Sequence, residues 1–408
     1  MEIYLTKEHE TFRSQVREFA EAEIAPIATR ADLDSCFPWQ NVKKMAELGL
    51  FGVNVPRDLG GQGRDYLSYI LTIEELARVD ASHSITVSAH STLATSPIVN
   101  FGSDAQQRRY VPLLASGRVL GGFGLTEPSA GSDAGASRTT AVPSNGGYRL
   151  NGSKIFITHA GVGEIFVVTA VTDRQKKARG ITSFIVTKPT TDLEVTRSLG
   201  IGHAPELEPF MHGVKAGKKE DKMGWRASDT RELLLQDVEV PLENRLGQEG
   251  DGFINFMKTL DAGRIGVAAL SLGLAQGALD SCINYTQGRR QFDRPLKDFQ
   301  GIQFTLADMA TEIAAARHLI YYAAWLKETA RPYTQAASMA KLFASEAAMR
   351  ITTRAVQLHG AHGYSTQYAV ERMMRDNKIC EIGEGTSEVQ RMVIARSLFA
   401  DRPEDPGA

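Results

Sequence analysis

Cysteine is scarce in this chain. The three that occur, Cys36, Cys282 and Cys380, stand far apart in 408 residues and form no C-x-x-C pair. Neither a disulfide framework nor a zinc site is therefore encoded, and no metal is expected. Buried thiols in a reducing compartment are expected instead. A bias of charge is also missing. The 46 Lys+Arg and 48 Asp+Glu leave a net charge of −2, without the basic surplus that marks a nucleic-acid binder. No apolar run approaches the ~18 residues that span a bilayer, so no membrane span is expected. The start, MEIYLTKEHETFRSQVREF, lacks an apolar signal core and the Arg- and Ser-rich, acid-poor character of a transit peptide. The expected location is cytoplasmic, or the mitochondrial matrix if a transit peptide has been removed. With 42 % hydrophobic and 23 % charged residues, the chain is not an extended disordered polymer. Its length predicts two or three domains.

What is present changes texture twice. Over 5–24, Leu5, Phe12, Val16, Phe19, Ala20 and Ile24 recur at helical steps, and Pro26 is expected to end that helix. Further helices are predicted at 38–49, 66–79, 82–100 and 104–116, with a Pro/Gly loop at 55–63. From Gly121, short β-branched runs alternate with turn signals. They predict strands at 147–150, 153–158, 164–171, 181–187, 193–197, 218–223 and 231–236, forming a small antiparallel barrel or sandwich. After Pro241 helical patterns return at 250–288, 297–330, 334–362, 367–377 and 386–399, as in an antiparallel bundle. The expected organisation is mainly α with a central β-domain. Residues 1–120 form an N-terminal helical domain, 121–240 a middle β-domain, 241–400 a C-terminal four-helix bundle, and 401–408 a flexible tail.

Five segments carry residue types suited to chemistry. GLTEPSAGSDAGA (124–136) is a loop of small residues with Thr126, Ser129, Ser132 and Asp133, able to approach a flat polar ring or a phosphate closely. It also fits an ordinary interdomain loop, and it is not a G-x-G-x-x-G fingerprint. In LNGSKIFITHAG (150–161), Phe156 and Thr158 share one side of a strand. An aromatic with a hydroxyl two residues on can cover a ring and bond its edge. Arg289, Arg290, Phe292 and Arg294 make a basic, aromatic turn, and Gln357 and Gly360 lie in a turn between helices. In CEIGEGTSEVQRMVIAR (380–396), Glu384 stands between two glycines before a helix that Thr386 or Ser387 can cap. A carboxylate there can enter an apolar pocket, where its pKa rises as a general base needs.

Together the segments cease to be ambiguous. LTEPSAGSDAGA, NGSKIFIT, KKEDKMGWRASDT (218–230), LDAGRIGVAALSLGLAQGALD (260–280), RRQFDRPLKDFQGIQF and EGTSEVQR occur in one family's order and spacing. Over essentially its full length the chain resembles the acyl-CoA dehydrogenase family, in its short- or branched-chain-like branch. The resemblance implies FAD held between β-domain and bundle, with its adenine end reaching a neighbouring subunit of a homotetramer built as a dimer of dimers. It implies an acyl-CoA substrate, α,β-dehydrogenation to the trans-2-enoyl-CoA, and electrons passed to an electron-transfer flavoprotein. By the same resemblance Glu384 is expected to take the α-proton while flavin N5 takes the β-hydride. In that family a ribityl hydroxyl and the N–H of the base, here by match Glu384, hold the enolate oxygen. A flavin-dependent oxidase on the same scaffold, acting on an acyl-CoA or a nitroalkane, is the alternative.

Residue by residue, the resemblance places Leu125, Thr126, Phe156 and Thr158 at the flavin, and Arg289, Gln291 and Phe292 at the FAD of the adjacent subunit. Gln357 and Gly360 fall at a pyrophosphate, and Thr386 and Glu388 beside the adenosine. Ser132 and Arg264 fall on the CoA side, Gly383 and Gly385 beside the acyl group, and Ala89 and Leu93 in the floor of its pocket. Some branches carry the base one residue before Arg264. Gly263 cannot ionise, which selects Glu384. Two features depart from the commonest pattern. Many members have Tyr where this chain has Gly383, which predicts space for a branched, cyclic or otherwise bulky acyl group. The stretch 197–217 inserts roughly 15–20 residues by hand comparison and is expected as a surface hairpin or loop.

Overall fold

The computed structural model describes residues 5–399; the expected tail 401–408 lies outside them. Helix α1 (Lys7–Phe19) starts at a capping box between Thr6 and His9 and buries Phe12 and Val16. Pro26 does not end the helical run. A π turn, Ala20–Ile24, leads directly into α2 (Ala25–Asp34), with Ala25 N–H reaching Ala20 O. Pro26 sits in the first turn of α2, where its missing N–H has no partner to lose, and the wide turn makes room for the ring. Then follow α3 (Trp39–Glu47), α4 (Tyr66–Val79) capped by Asp65, α5 (Ala81–Ala89) capped by Asp80, a π turn at His90–Thr95, α6 (Ser96–Phe101) and α7 (Asp104–Ala115).

The middle region holds β1 (Gly121–Gly124), β2 (Thr140–Ser144), β3 (Gly147–Thr158), β4 (Ile165–Val171), β5 (Ile181–Thr187), helix α8 (Leu193–Leu199), β6 (Val214–Lys219), β7 (Thr230–Pro241) and β8 (Arg245–Leu246). The sheet runs β6-β7-β3-β2-β4-β5-β8, with β1 beside β4. It is not wholly antiparallel, because β4 runs parallel to both β1 and β2. The two strands expected at 147–150 and 153–158 are one, irregular against β7 between Leu150 and Gly152 and again between Lys154 and Ile157. Of the strand expected at 218–223 only 218 and 219 are extended, as the end of β6, and 220–223 are irregular; the strand expected at 231–236 lies inside the longer β7. Residues 193–197, expected as a strand, begin α8, which closes on Gly200 in the left-handed region. Three of the four residues of strand β1, GGFG, are glycines, which are depleted in strands. Its glycines are there for close approach: a Cβ on Gly122 would stand 2.5 Å from Thr158 O.

The third region is α9 (Gly252–Gly288), a small hairpin of β9 (Arg290–Gln291) and β10 (Arg294–Pro295), α10 (Gln300–Glu328), α11 (Thr334–His359), and the shorter α12 (Ala361–Tyr364), α13 (Val370–Asn377) and α14 (Ser387–Phe399). Although no apolar run suggested it, α9 is long and apolar enough to cross a membrane by composition. Its apolar window is 83 % buried inside the protein. One hydrophobic core joins Phe12, Tyr69 and Ile73 of the first region to Ile265, Leu270, Ile320 and Ile351 of the third. Ion pairs cross the same seam, the buried Arg317 to Glu74 at 2.9 Å and the half-buried Arg78 to Asp280 at 2.6 Å. The sheet keeps a second core around Leu150, Phe166, Phe184 and Leu233. Cys282 and Cys380 are buried, but Cys36 is exposed, against expectation.

The stretch 197–217 is no simple surface loop. Ile201, Ala204 and Leu207 are buried, His203 meets the Glu164 carboxylate at 2.9 Å, and Gly202 N–H donates to Arg118 O at 2.7 Å. It fastens α7 to the sheet.

Candidate active site

Glu384 lies in the turn between Lys378–Glu381 and α14. Its φ is +53° and that of Gly385 is +94°. A non-glycine residue enters this region rarely, so the surroundings must hold it there. Three helices do so. Lys341 of α11 donates from Nζ to Gly385 O at 2.8 Å. Gln390 of α14 donates from Nε2 to the same carbonyl at 2.8 Å and to Glu384 O at 3.2 Å. Arg264 of α9 directs Nε at Glu384 O at 3.5 Å. Arg264 is in turn fixed by Asp261 at 2.6 Å, and Asp261 accepts the Thr334 hydroxyl at 2.6 Å.

The carboxyl of Glu384 points inward. Its Oε2 is shielded from solvent and has no hydrogen-bond partner among the described residues. Under it lies Gly263, where a Cβ would stand 2.0 Å from Oε2. Burial raises the Glu384 pKa to about 7, against the opposing pull of Arg264 and Lys341. An unsolvated carboxyl poised near neutrality suits proton abstraction at working pH. Tyr66 and Tyr69 of α4 close the region, both pushed upward by burial and by the Glu384 charge. Tyr66 OH donates to Ala262 O at 2.8 Å, and Tyr69 OH pairs with Ser88 Oγ at 3.1 Å. The Gly383 N–H is taken by Ile379 O at 2.7 Å, whereas the Glu384 N–H has no acceptor among the described residues. It is a donor left for a ligand.

Glycine at 263 is thus a steric requirement. Gly263→Ala should displace the carboxylate and, with Glu384 as the base the resemblance implies, lower kcat about 100-fold, the scale of a 1 Å misplacement, without changing the content of the flavin expected from that resemblance. Steady-state kinetics beside the flavin absorbance spectrum checks this.

On the sheet side, Leu125 and Thr126 follow β1 and touch the same part of β3. Ile155 N–H donates to Thr126 O at 2.9 Å. The buried Lys154 gives Nζ to Leu125 O at 3.2 Å and to Glu127 Oε1 at 2.7 Å. Phe156 stands at the register irregularity with φ +57° and is 61 % exposed. A bulge that turns a phenyl ring outward, beside half-buried Thr158, fits a flat heteroaromatic cofactor. Ser132 is exposed in the same loop, whose Gly135 approaches Phe253 in the first turn of α9. The sheet therefore meets α9 about three turns before Gly263.

Other expected residues are elsewhere. Arg289, Gln291 and Phe292 lie on the exposed β9–β10 hairpin, with Phe292 87 % exposed. Gln357 and Gly360 end α11 nearby, where Tyr285 OH meets His362 Nδ1 at 3.0 Å. That end of α9 is ~33 Å from Gly263 along the helix. Within one chain these two groups do not come together. Thr386 caps the first turn of α14, its Oγ1 accepting Val389 N–H at 3.3 Å, and Glu388 is exposed there. Gly383 and Gly385 flank Glu384, but the carbonyl of Gly385 is occupied by Lys341 and Gln390. Ala89 is buried and Leu93 half-buried against the helical core. From this stretch it is Ser88 that reaches Tyr69 beside Glu384. The polar side chains around it are turned inward: His90 contacts Leu114 O at 2.9 Å and accepts Gly121 N–H at 3.2 Å.

Sequence reading missed Lys341, Gln390, Tyr66 and Tyr69, and missed Gly263 as the bed of the carboxylate. Each reads locally as an ordinary helix residue, and only the crossing of helices places them around one turn.

The chain matches three domain families in order: acyl-CoA dehydrogenase, N-terminal domain, at residues 6–118; middle domain at 122–238; C-terminal domain at 250–399. It is similar to the short-chain specific acyl-CoA dehydrogenase of Clostridium acetobutylicum, 47 % identical over 98 % of this chain and 100 % of that protein. Among solved structures it is similar to butyryl-CoA dehydrogenase from Megasphaera elsdenii, with 45 % identity, a TM-score of 0.91, and coverage of 98 % and 100 %. It is likewise similar to a chain in the electron transferring flavoprotein structure of Acidaminococcus fermentans, work directed at flavin-based electron bifurcation. That match has 46 % identity, a TM-score of 0.92, and coverage of 98 % and 100 %.

Proposed function

The chain belongs to the acyl-CoA dehydrogenase family, and from that premise we propose that it dehydrogenates a short acyl-CoA thioester with FAD as cofactor and Glu384 as base. It is an oxidoreductase of the flavoprotein type. The observation that carries the reading is the buried, unpartnered Glu384 Oε2 against Gly263. Bound FAD supplies the acceptor for the β-hydride. The protein's own part is acid–base and positional: the Glu384 carboxylate takes the α-proton, and its N–H is placed to hold the thioester oxygen as negative charge develops there. Leu125, Thr126, Phe156 and Thr158 would hold the flavin ring. Arg289, Gln291, Phe292, Gln357 and Gly360 would reach the FAD of a second copy, since their distance from Glu384 within one chain is too great for the same dinucleotide. A chain of similar sequence in an electron transferring flavoprotein structure supports a carrier of that kind as the electron acceptor.

Anaerobic bleaching of the bound flavin by butyryl-CoA tests the activity. No bleaching with any acyl-CoA overturns it, and rapid reoxidation in air with peroxide release identifies an oxidase. The first-order rate should fall tenfold per pH unit below about 7, because Glu384 must be ionised to accept the proton.

Gly383 sets the shape of the acyl group. A Cβ there would meet only Ile379, at 3.4 Å and beyond, so a larger side chain is sterically admitted and its absence leaves space. Branched short acyl-CoAs should be good substrates. Gly383→Tyr should reduce their kcat/KM tenfold or more, within the roughly 10–200-fold range for small apolar changes in a pocket, while butyryl-CoA changes little. A parent enzyme that strongly favours octanoyl-CoA contradicts this.

A further inference from the structure

Lys341 is a fully buried lysine 43 positions before Glu384, on α11, whose one residue expected at a ligand, Gln357, lies 16 positions further along the helix. It is 0 % exposed, and its Nζ donates to Gly385 O at 2.8 Å. We infer that Lys341 is a positioning residue for the base: it clamps the left-handed Glu384–Gly385 turn and, while protonated, lends the site a positive charge. The inference rests on the reading of Glu384 as base.

The geometry supports a clamp. Two consecutive residues have positive φ, and one of them is not glycine. Such a turn persists only where it is over-determined. Gly385 O receives two donors, Lys341 Nζ and Gln390 Nε2, each at 2.8 Å. The same helix takes a second hold below: Asn377 Nδ2 donates to Ser345 O, one turn beyond Lys341, at 2.9 Å. The stretch carrying Glu384 is thereby fixed to α11 at two points. The carboxyl itself is held by no hydrogen bond at Oε2. Its direction over Gly263 follows from the backbone turn, and the turn follows from the clamp.

The charge matters separately. The groups facing this turn are Asp261 and Arg264 from α9, Tyr66 and Tyr69 from α4, Lys341 from α11, and Cys380 and Glu381 on the segment before it. Arg264 is already paired with Asp261 at 2.6 Å. Lys341 bonds a carbonyl instead of a carboxylate, so its charge is not cancelled by a bonded anion. Both cations oppose the upward push of burial on Glu384. Removing Lys341 should therefore raise the carboxyl pKa further, so more of the enzyme is protonated at a given pH. A buried lysine with a purely structural role would alter stability and leave the pH dependence alone.

The test compares Lys341→Met, which loses donor and charge, with Lys341→Gln, which keeps a donor and loses charge, both as FAD-loaded protein. For Lys341→Met we expect kcat for butyryl-CoA to fall at least tenfold with KM changed less than threefold. The acid limb of the kcat profile should move upward by about one pH unit, and the isotope effect from deuterium at the substrate α-carbon should increase. Lys341→Gln should recover much of kcat while keeping the displaced limb. If Lys341→Met fails to fold, the limb in Lys341→Gln decides alone. An unmoved acid limb with an unchanged α-deuterium effect overturns the inference, whatever happens to stability. Glu384→Gln is run alongside. If it remains active, the reading of the base has failed; if it is inactive while Lys341→Met behaves as the parent, only the clamp has failed.

Discussion

Glu384→Gln should lower flavin reduction by butyryl-CoA roughly 10³–10⁴-fold, near the upper end of what a positioned general base contributes, while the protein stays yellow. An amide has the volume of the carboxyl and cannot accept the α-proton. Stopped-flow bleaching without oxygen measures the loss, and retention of near-parental kcat removes Glu384 from the mechanism. The same substitution should stabilise the fold in alkaline buffer. The folded pKa of Glu384 is raised to about 7 by burial, against about 4.3 for an unfolded glutamate. Between these values the folded state binds the extra proton, so this group's contribution becomes progressively less favourable as pH rises through the window. Above about pH 7 the penalty of holding the carboxylate is complete, on the order of 3–4 kcal/mol. Glu384→Gln removes it, so denaturant midpoints should rise at pH 8 and stay near the parent at pH 4.5. Activity and stability then move in opposite directions at a single residue, as expected of a site that keeps an ionisable group in an unfavourable place.

Lys154→Met should destabilise the protein by ~3–5 kcal/mol, the cost of leaving one half of a buried ion pair alone. Lys154 and Glu127 are both buried and 2.7 Å apart. Burial by itself would raise the Glu127 carboxyl, but the Lys154 charge and hydrogen bonds from Lys154, Ser137 and Thr139 outweigh it and hold the group at about 2. Arg138 N–H and Thr139 N–H both end on this carboxylate, at 2.6 Å and 3.0 Å. The pair is therefore the anchor of the loop from Leu125 to Thr139, which carries the proposed flavin contacts. Weaker flavin retention on dilution should accompany the lower denaturant midpoint. Replacing both residues, Lys154→Met with Glu127→Leu, should recover part of the stability, because no buried charge then remains unpaired, and should leave the loop poorly held. If the single variant costs under ~1 kcal/mol, the pair behaves as a surface ion pair and the anchor is refuted.

Glu127 shows why the anchor was hard to read in the chain. It sits inside LTEPSAGSDAGA, where attention goes to small residues and hydroxyls, and its partner is 27 positions away on β3. The same limit explains Pro26, which breaks a regular helix but not one that widens to a π turn, and 193–197, whose β-branched composition was overridden by packing of α8 onto α3. Strand β1 escaped because GGFG is selected for closeness to Thr158 O, not for strand propensity.

The sequence by itself determined the succession of helical, sheet and helical regions, since apolar periodicity is a local property. It also determined the family motifs and Glu384 as the ionisable group between two glycines. Tertiary structure decided what that group is. Gly263 comes under its carboxyl, Tyr66 and Tyr69 beside it, and Lys341 and Arg264 behind its backbone, from helices 43 to more than 300 positions away in the chain, with Gln390 of the next helix joining them. A carboxyl becomes a base near neutrality through the solvent it loses and the charges that remain, and both are set by which helices cross.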